Sequence, residues 1–200
     1  MSITSSHCAG FTLPEVMLAM GIGGMLLLGS AQTFPLLRQR SQDLAQRFQL
    51  DQLMRQTLFT LMKDLRRAGY CAGTCQGKSV VLGHYPGEAK DSCVLLAFDL
   101  NNNGRWEGTD RTNSEYFAYR LRQQVIETQR GVRTCDGSGW ERLLDPTEVS
   151  VSRFHITQTH SPGKPAFFVV DIAAHWRQKT AVEDDVMPME IKQMIAGQIL

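Results

Sequence analysis

Polar and apolar positions along the chain fall into three regimes. Residues 16–37 contain no charged side chain, 22 positions in a row. At about 1.5 Å per helical residue that run reaches roughly 33 Å, enough to cross a bilayer core of about 30 Å. Residues 38–67 change pattern: Leu44, Phe48, Leu58, Leu61, Met62 and Leu65 recur at three- and four-residue steps among Gln, Arg and Asp. That spacing predicts a continuing amphipathic helix whose apolar stripe packs on the chain's own globular part. Gly69, after Arg66 and Arg67, supplies the stop. From Tyr70 the pattern becomes short strands at residues 79–82, 93–98, 116–121, 124–128, 149–156, 166–174 and 187–195, separated by loops carrying Pro, Gly, Asn and Asp. The expectation is an α+β chain: a long N-terminal helix, its first half transmembrane and its second half amphipathic, packed on an antiparallel β-sheet head.

The start of the apolar run carries its own chemistry. Thr12-Leu13-Pro14-Glu15 is a capping-box pattern with proline in the first turn. Glu15 lies at the membrane end of the run, where an isolated carboxylate is costly and calls for a partner and a function. No small-residue cleavage site follows the run, and Arg38, Arg40 and Arg47 lead straight into the amphipathic pattern, so any break point lies before it. A cut between Gly10 and Phe11 would place the new amine one helical turn from Glu15, with the right sign and spacing for pairing.

At these residues the sequence resembles the type IV prepilins and the pseudopilins of type II secretion. The resemblance implies cleavage after Gly10 by a prepilin peptidase, N-methylation of Phe11, and pairing of Glu15 with the Phe11 amine of a neighbouring subunit. Residues 66–71 (Arg-Arg-Ala-Gly-Tyr-Cys), the 99–106 loop and residues 130–140 are similar to the prepilin peptidase-dependent protein B family, minor pilins with a J-type pseudopilin relationship. The implied organisation is a leader at 1–10, a transmembrane half-helix at 11–37, an amphipathic half-helix at 38–69 and a periplasmic head at 70–200, with a type IV pilin-like fold. Two features depart from the family: the leader has no Lys or Arg, and Arg38 and Arg40 by charge alone favour the opposite membrane orientation. The resemblance also implies partial unwinding of the helix around Gly21, Gly23, Gly24, Gly29 and Pro35 inside a filament.

Composition narrows the function classes. The formal net charge is +1 and the basic residues are interleaved with acids, so no nucleic-acid partner is expected. The nearest basic cluster is Arg120, Arg122, Arg130 and Arg133, with Glu127 among them. Of five cysteines, Cys8 would leave with the leader. Cys71, Cys75, Cys93 and Cys135 suit two disulfides in an oxidising compartment, with three connectivities open, or buried thiols. No Cys-x-x-Cys pair or Cys/His cluster has zinc spacing. His84, His155, His160 and His175 are scattered.

Residues 99–110 form the sharpest local motif. Asp99, Asn101, Asn103, Glu107 and Asp110 stand at positions one, three, five, nine and twelve, Gly104 is at six, and Arg105 offers its carbonyl at seven. That is the spacing of an EF-hand calcium loop with Asp in place of the last Glu, on flanks that read as strands. The competing reading is a tight Asn103-Gly104 turn with polar decoration. Calcium is therefore an optional cofactor and none is required. The function expected from the resemblance is a minor pilin that helps initiate a type IV pilus, partnered by prepilin peptidase, other minor pilins, the major pilin and the inner membrane. Alternatives are a minor pseudopilin of type II secretion and a tip adhesin or DNA-binding subunit. No nucleophile–base or metal constellation supports an enzyme.

Overall fold

The computed structural model describes residues 10–108, 112–159, 166–177 and 188–197. One helix, α1 (Leu13–Arg67), runs 55 residues with Pro35 inside it. Glu15 is its first-turn acid, and Arg66 and Arg67 stand in its last turn, where each complements the helix dipole. Gly69 ends the run at φ 92°, a left-handed conformation that glycine adopts without steric cost. Its N–H donates to the Ala97 carbonyl at 2.9 Å.

The chain forms two compact units, Met1–Gln46 and Arg47–Leu200. The described part of the first is the opening of α1, and none of its residues is buried. Leu26, Leu27 and Leu28 are 67, 73 and 68 % exposed. A methyl group added at Gly21, Gly23, Gly24 or Gly29 would meet nothing within 4 Å. Among the described residues these glycines have no packing partner.

The second unit holds the rest of α1 and two antiparallel sheets. Strands β1 (Val80–Gly83), β2 (Cys93–Ala97), β3 (Tyr116–Arg122), β4 (Val125–Arg130) and the two-residue β5 (Glu141–Arg142) pair in sequence order. Strands β6 (Val149–Thr159), β7 (Phe167–Trp176) and β8 (Met189–Ala196) form a separate three-stranded sheet. The single sheet expected from the sequence is thus two, and β5 is an added edge. The Asp145 carboxylate accepts the Thr147 N–H and hydroxyl at 2.8 and 2.7 Å, turning the chain from one sheet to the other. The Val151 N–H then donates to Gln124 O at 2.8 Å, stitching the sheets together.

Leu50, Met54, Leu58, Leu61 and Leu65 of α1 pack in one core with Val94, Leu96, Tyr119, Ile126, Phe154, Ile156, Phe168, Val170, Ile172 and Ile195 from both sheets. The α1 residues repeat at three- and four-residue steps and the strand residues at two, so each element buries the face its period dictates. Strand β2 is buried on both faces. Its second face, Cys93 and Leu95, lies in a smaller cluster with Ala118 and Cys135, covered by Val132 and Trp140.

Candidate functional site

The N-terminal motif forms a compact cap. Thr12 O accepts the Glu15 and Val16 N–H groups at 3.1 and 3.2 Å, and the Thr12 N–H and hydroxyl both lie 3.5 Å from Glu15 Oε2. Gly10 is exposed and Phe11 is 84 % exposed. An accessible Gly10–Phe11 bond thus precedes a carboxylate turned back toward the helix start. Beyond it the apolar surface of α1 lies bare, and an apolar surface of that size needs lipid or neighbouring helices around it.

In the head, two buried carboxylates organise the loop that joins β2 to β3. Asp99 Oδ1 accepts the Asn103 N–H at 3.1 Å, and Oδ2 accepts those of Ala72 and Gly104 at 3.0 and 2.9 Å. Glu115, 1 % exposed, accepts the N–H groups of Leu100, Asn101 and Glu107 at 2.6, 3.2 and 3.2 Å. Burial pushes the Asp99 carboxyl up, but hydrogen bonds from Ala72, Gly104, Asn103 and Asn102 outweigh it and hold it below the usual carboxylate range.

The side chains at positions three, five and nine are committed in the same way. Asn101 Oδ1 caps the Asn103 N–H at 3.0 Å and Asn103 Oδ1 caps the Arg105 N–H at 3.1 Å. Both Asn amides donate to Glu107, at 3.1 and 2.6 Å. A calcium ion would have to displace these donors. Asp110 lies outside the described residues, as does His160.

The cysteines pair as Cys71–Cys75 and Cys93–Cys135. The first closes a short loop against the 99–107 segment so tightly that a Cβ on Gly73 would stand 2.8 Å from Gly104 Cα. Cys71, Cys75 and Asp99 cluster, but disulfide sulfurs are not thiolate ligands, and Asp99 is already hydrogen-bonded. The second bridge ties β2 to the loop that follows β4.

The same loop is held by Arg120, a residue that reads as surface charge in the sequence. Gly83, Cys93, Arg120, Glu127 and Arg142 face one another in register across the five strands. Arg120 is fully buried and pairs with Glu127 at 2.8 Å. It also donates to Cys135 O at 2.6 Å and stands over the rings of Trp140 and Tyr85, 4.0 and 4.8 Å from their centroids. Arg130 donates to Ser114 O at 2.6 Å, and Arg133 lies over Tyr116 at 4.3 Å. Of the basic cluster, Arg120 is internal scaffolding, Arg122 and Arg130 are half-buried, and Arg133 is exposed. The clue in the sequence was the buried neighbours of Arg120, Tyr119 and Leu121, without any sign that both faces of the strand are covered.

One more polar pair, half-buried on the helix side, joins α1 to the sheet. The Tyr119 hydroxyl donates to Asp64 Oδ2 at 2.6 Å. Burial pushes the Asp64 carboxyl up, against the Tyr119 bond and the nearby Arg67 and Lys63 charges. Burial and the Asp64 charge push the Tyr119 phenol well above its ordinary range.

Comparison with known proteins places this geometry. The family model described as prepilin peptidase-dependent protein B matches residues 43–194, and the prokaryotic N-terminal methylation motif matches residues 5–31. The chain is 32 % identical over 165 residues to prepilin peptidase-dependent protein B of Escherichia coli (strain K12), covering 82 % of this chain and 86 % of that protein. It is 26 % identical over 147 residues to an uncharacterized protein of Haemophilus influenzae, covering 50 % of this chain and 62 % of that one. No solved structure matches it. A methylation motif at the mouth of a bare apolar helix, followed by a head that matches from residue 43 to residue 194, makes this chain a member of the prepilin peptidase-dependent protein B family.

Proposed function

We propose that the chain is a minor pilin that helps initiate assembly of a type IV pilus. A prepilin peptidase removes residues 1–10, the new Phe11 amine is methylated, and residues 11–37 hold the protein in the inner membrane with the head in the periplasm. On extraction into a filament, the Phe11 amine of one subunit meets Glu15 of its neighbour, which sets the axial register. The apolar helix then exchanges lipid for other helices, and the head selects its neighbours. The protein is a scaffold rather than a catalyst. A type II secretion pseudopilus would use the same parts, and so differs in partners rather than in residues.

One observation carries this reading: the exposed Gly10–Phe11 bond and the Glu15 carboxylate open a helix none of whose described residues is buried before position 50. Glu15→Ala tests the assembly step. The variant should still be processed, since Gly10 and Phe11 are intact, yet fall out of sheared filaments, whereas Glu15→Asp should be partly retained. Equal incorporation of Glu15→Ala and wild type would remove the pairing from the account. Calcium is a separate proposal about the 99–110 loop. Comparing the melting temperature with calcium and with chelator distinguishes an ion-holding loop, which calcium would stabilise, from a turn sustained by its own hydrogen bonds.

A further inference from the structure

Helix α1 shows a second stripe in the head unit, away from the core. Gln52, Arg55, Gln56, Phe59, Met62, Lys63 and Arg66 each lie three or four residues from another member of the set, so they share one face. With Arg67 and Gln193 of β8 they line a groove of ≈ 800 Å³. Phe59, near its middle, is 71 % exposed beside the buried Met62.

The charge of this groove is one-sided. Among the described residues, no acidic side chain lines it. Asp51, outside the lining, pairs with Arg55 at 2.7 Å. Half-buried Asp64, close enough to feel the Lys63 and Arg67 charges, is hydrogen-bonded to the Tyr119 hydroxyl on the sheet side of the helix. Among the described residues, Lys63 and Arg66 make no ion pair. The helix dipole accounts for cations in the last turn but not for an exposed phenylalanine one to two turns before them. Phe, Met and Arg side chains gathered at a surface are the types enriched at protein–protein interfaces.

We propose that this groove docks an acidic amphipathic helix of another protein chain, with an apolar side chain seated on Phe59 and carboxylates meeting Lys63 and Arg66. Complementary charge selects that partner, and the helical spacing of the cations matches carboxylates at three- and four-residue steps. Gln52, Gln56 and Gln193 add directional amide groups, which suit a folded partner better than a fluid anionic lipid surface. The proposal does not rest on the pilus reading and survives if the processing motif proves inert.

The test places a benzophenone amino acid at position 59 of the full chain in its native cells and identifies the photo-adduct by peptide mass spectrometry. The expected result is one dominant protein segment bearing Asp or Glu at helical spacing. Lys63→Glu/Arg66→Glu should cut the yield by roughly tenfold or more. Lys63→Gln/Arg66→Gln should give an intermediate loss. Reversing the partner's acids to lysine should restore the adduct with the doubly acidic variant. Formation of the Cys93–Cys135 bridge in every variant verifies the fold. An adduct to lipid, to a second copy of this chain or to a segment without acids would overturn the proposal. So would a yield indifferent to the charge reversals, or no adduct from the folded protein.

Discussion

Arg120 shows how much of the head depends on one polar side chain. Its guanidinium joins the β3–β4 pair to the disulfide loop and lies against two aromatic rings, so its contacts with Glu127 and the Cys135 carbonyl are made out of water. Removing one partner of such a pair leaves a buried charge uncompensated and typically costs about 3–5 kcal/mol. Glu127→Ala should therefore lower the head's thermal stability by an amount of that order, while Glu127→Gln, which still accepts a hydrogen bond, should cost less. Circular dichroism melting of the full chain in detergent reads both, and an unchanged Tm for Glu127→Ala would contradict the structural role.

Two carboxylates give opposite pH signatures. Asp99 is depressed in the folded head, so its stabilisation is present above the ordinary carboxylate value of about 4 and is lost as pH falls through the folded value. Asp64 is raised, so it costs nothing below about pH 4 and costs stability increasingly as pH rises through its folded value. Asp99→Asn should flatten the acid limb of the Tm–pH curve. Asp64→Asn, which can still accept the Tyr119 hydroxyl, should flatten the limb above it without lowering the neutral Tm.

At the level of elements, α1 is two different helices in one. Its C-terminal half is stabilised by packing, because Met54, Leu58, Leu61 and Leu65 are each at most 2 % exposed. Its first half relies on surroundings that the chain does not itself supply. Replacing Gly21, Gly23, Gly24 and Gly29 by alanine should raise helix propensity by up to about 1 kcal/mol per site. The head's Tm should not move, because the added methyls touch nothing among the described residues. If those glycines let neighbouring helices approach closely, the same variant should assemble poorly. Leu65→Ala should do the reverse, lowering the head's Tm at a typical cost of about 2–5 kcal/mol.

The same contrast explains what the sequence revealed. Long periodic patterns are local, so α1 and seven strands could be read from spacing within a residue or a few of their ends. The missing pieces depend on distant partners. Strand β5 is two exposed residues that exist only by pairing with Glu127 and Thr128. The β3–β4 turn uses Gln123 and Gln124 at positive φ, where Asn-Gly would have signalled it, and it is held by Glu88 and Ser150. The Cys93–Cys135 pairing and the burial of Arg120 both depend on how distant segments meet on the sheet, which no local pattern encodes.

For the whole molecule, the methylation motif and the folded core separate along the chain. Residues 5–31 carry the methylation motif and an apolar helix that makes few contacts of its own, while residues 47–200 form a cross-linked head with a self-contained core. Such a division suits a subunit stored in a membrane and later drawn into an assembly through its helix. The most direct measurement is N-terminal sequencing and intact mass of the membrane-extracted protein, from hosts with and without prepilin peptidase. The account predicts a methylated Phe11 at the N-terminus only when the peptidase is present. An intact Met1 in both hosts, or a cut beyond Leu37, would contradict it.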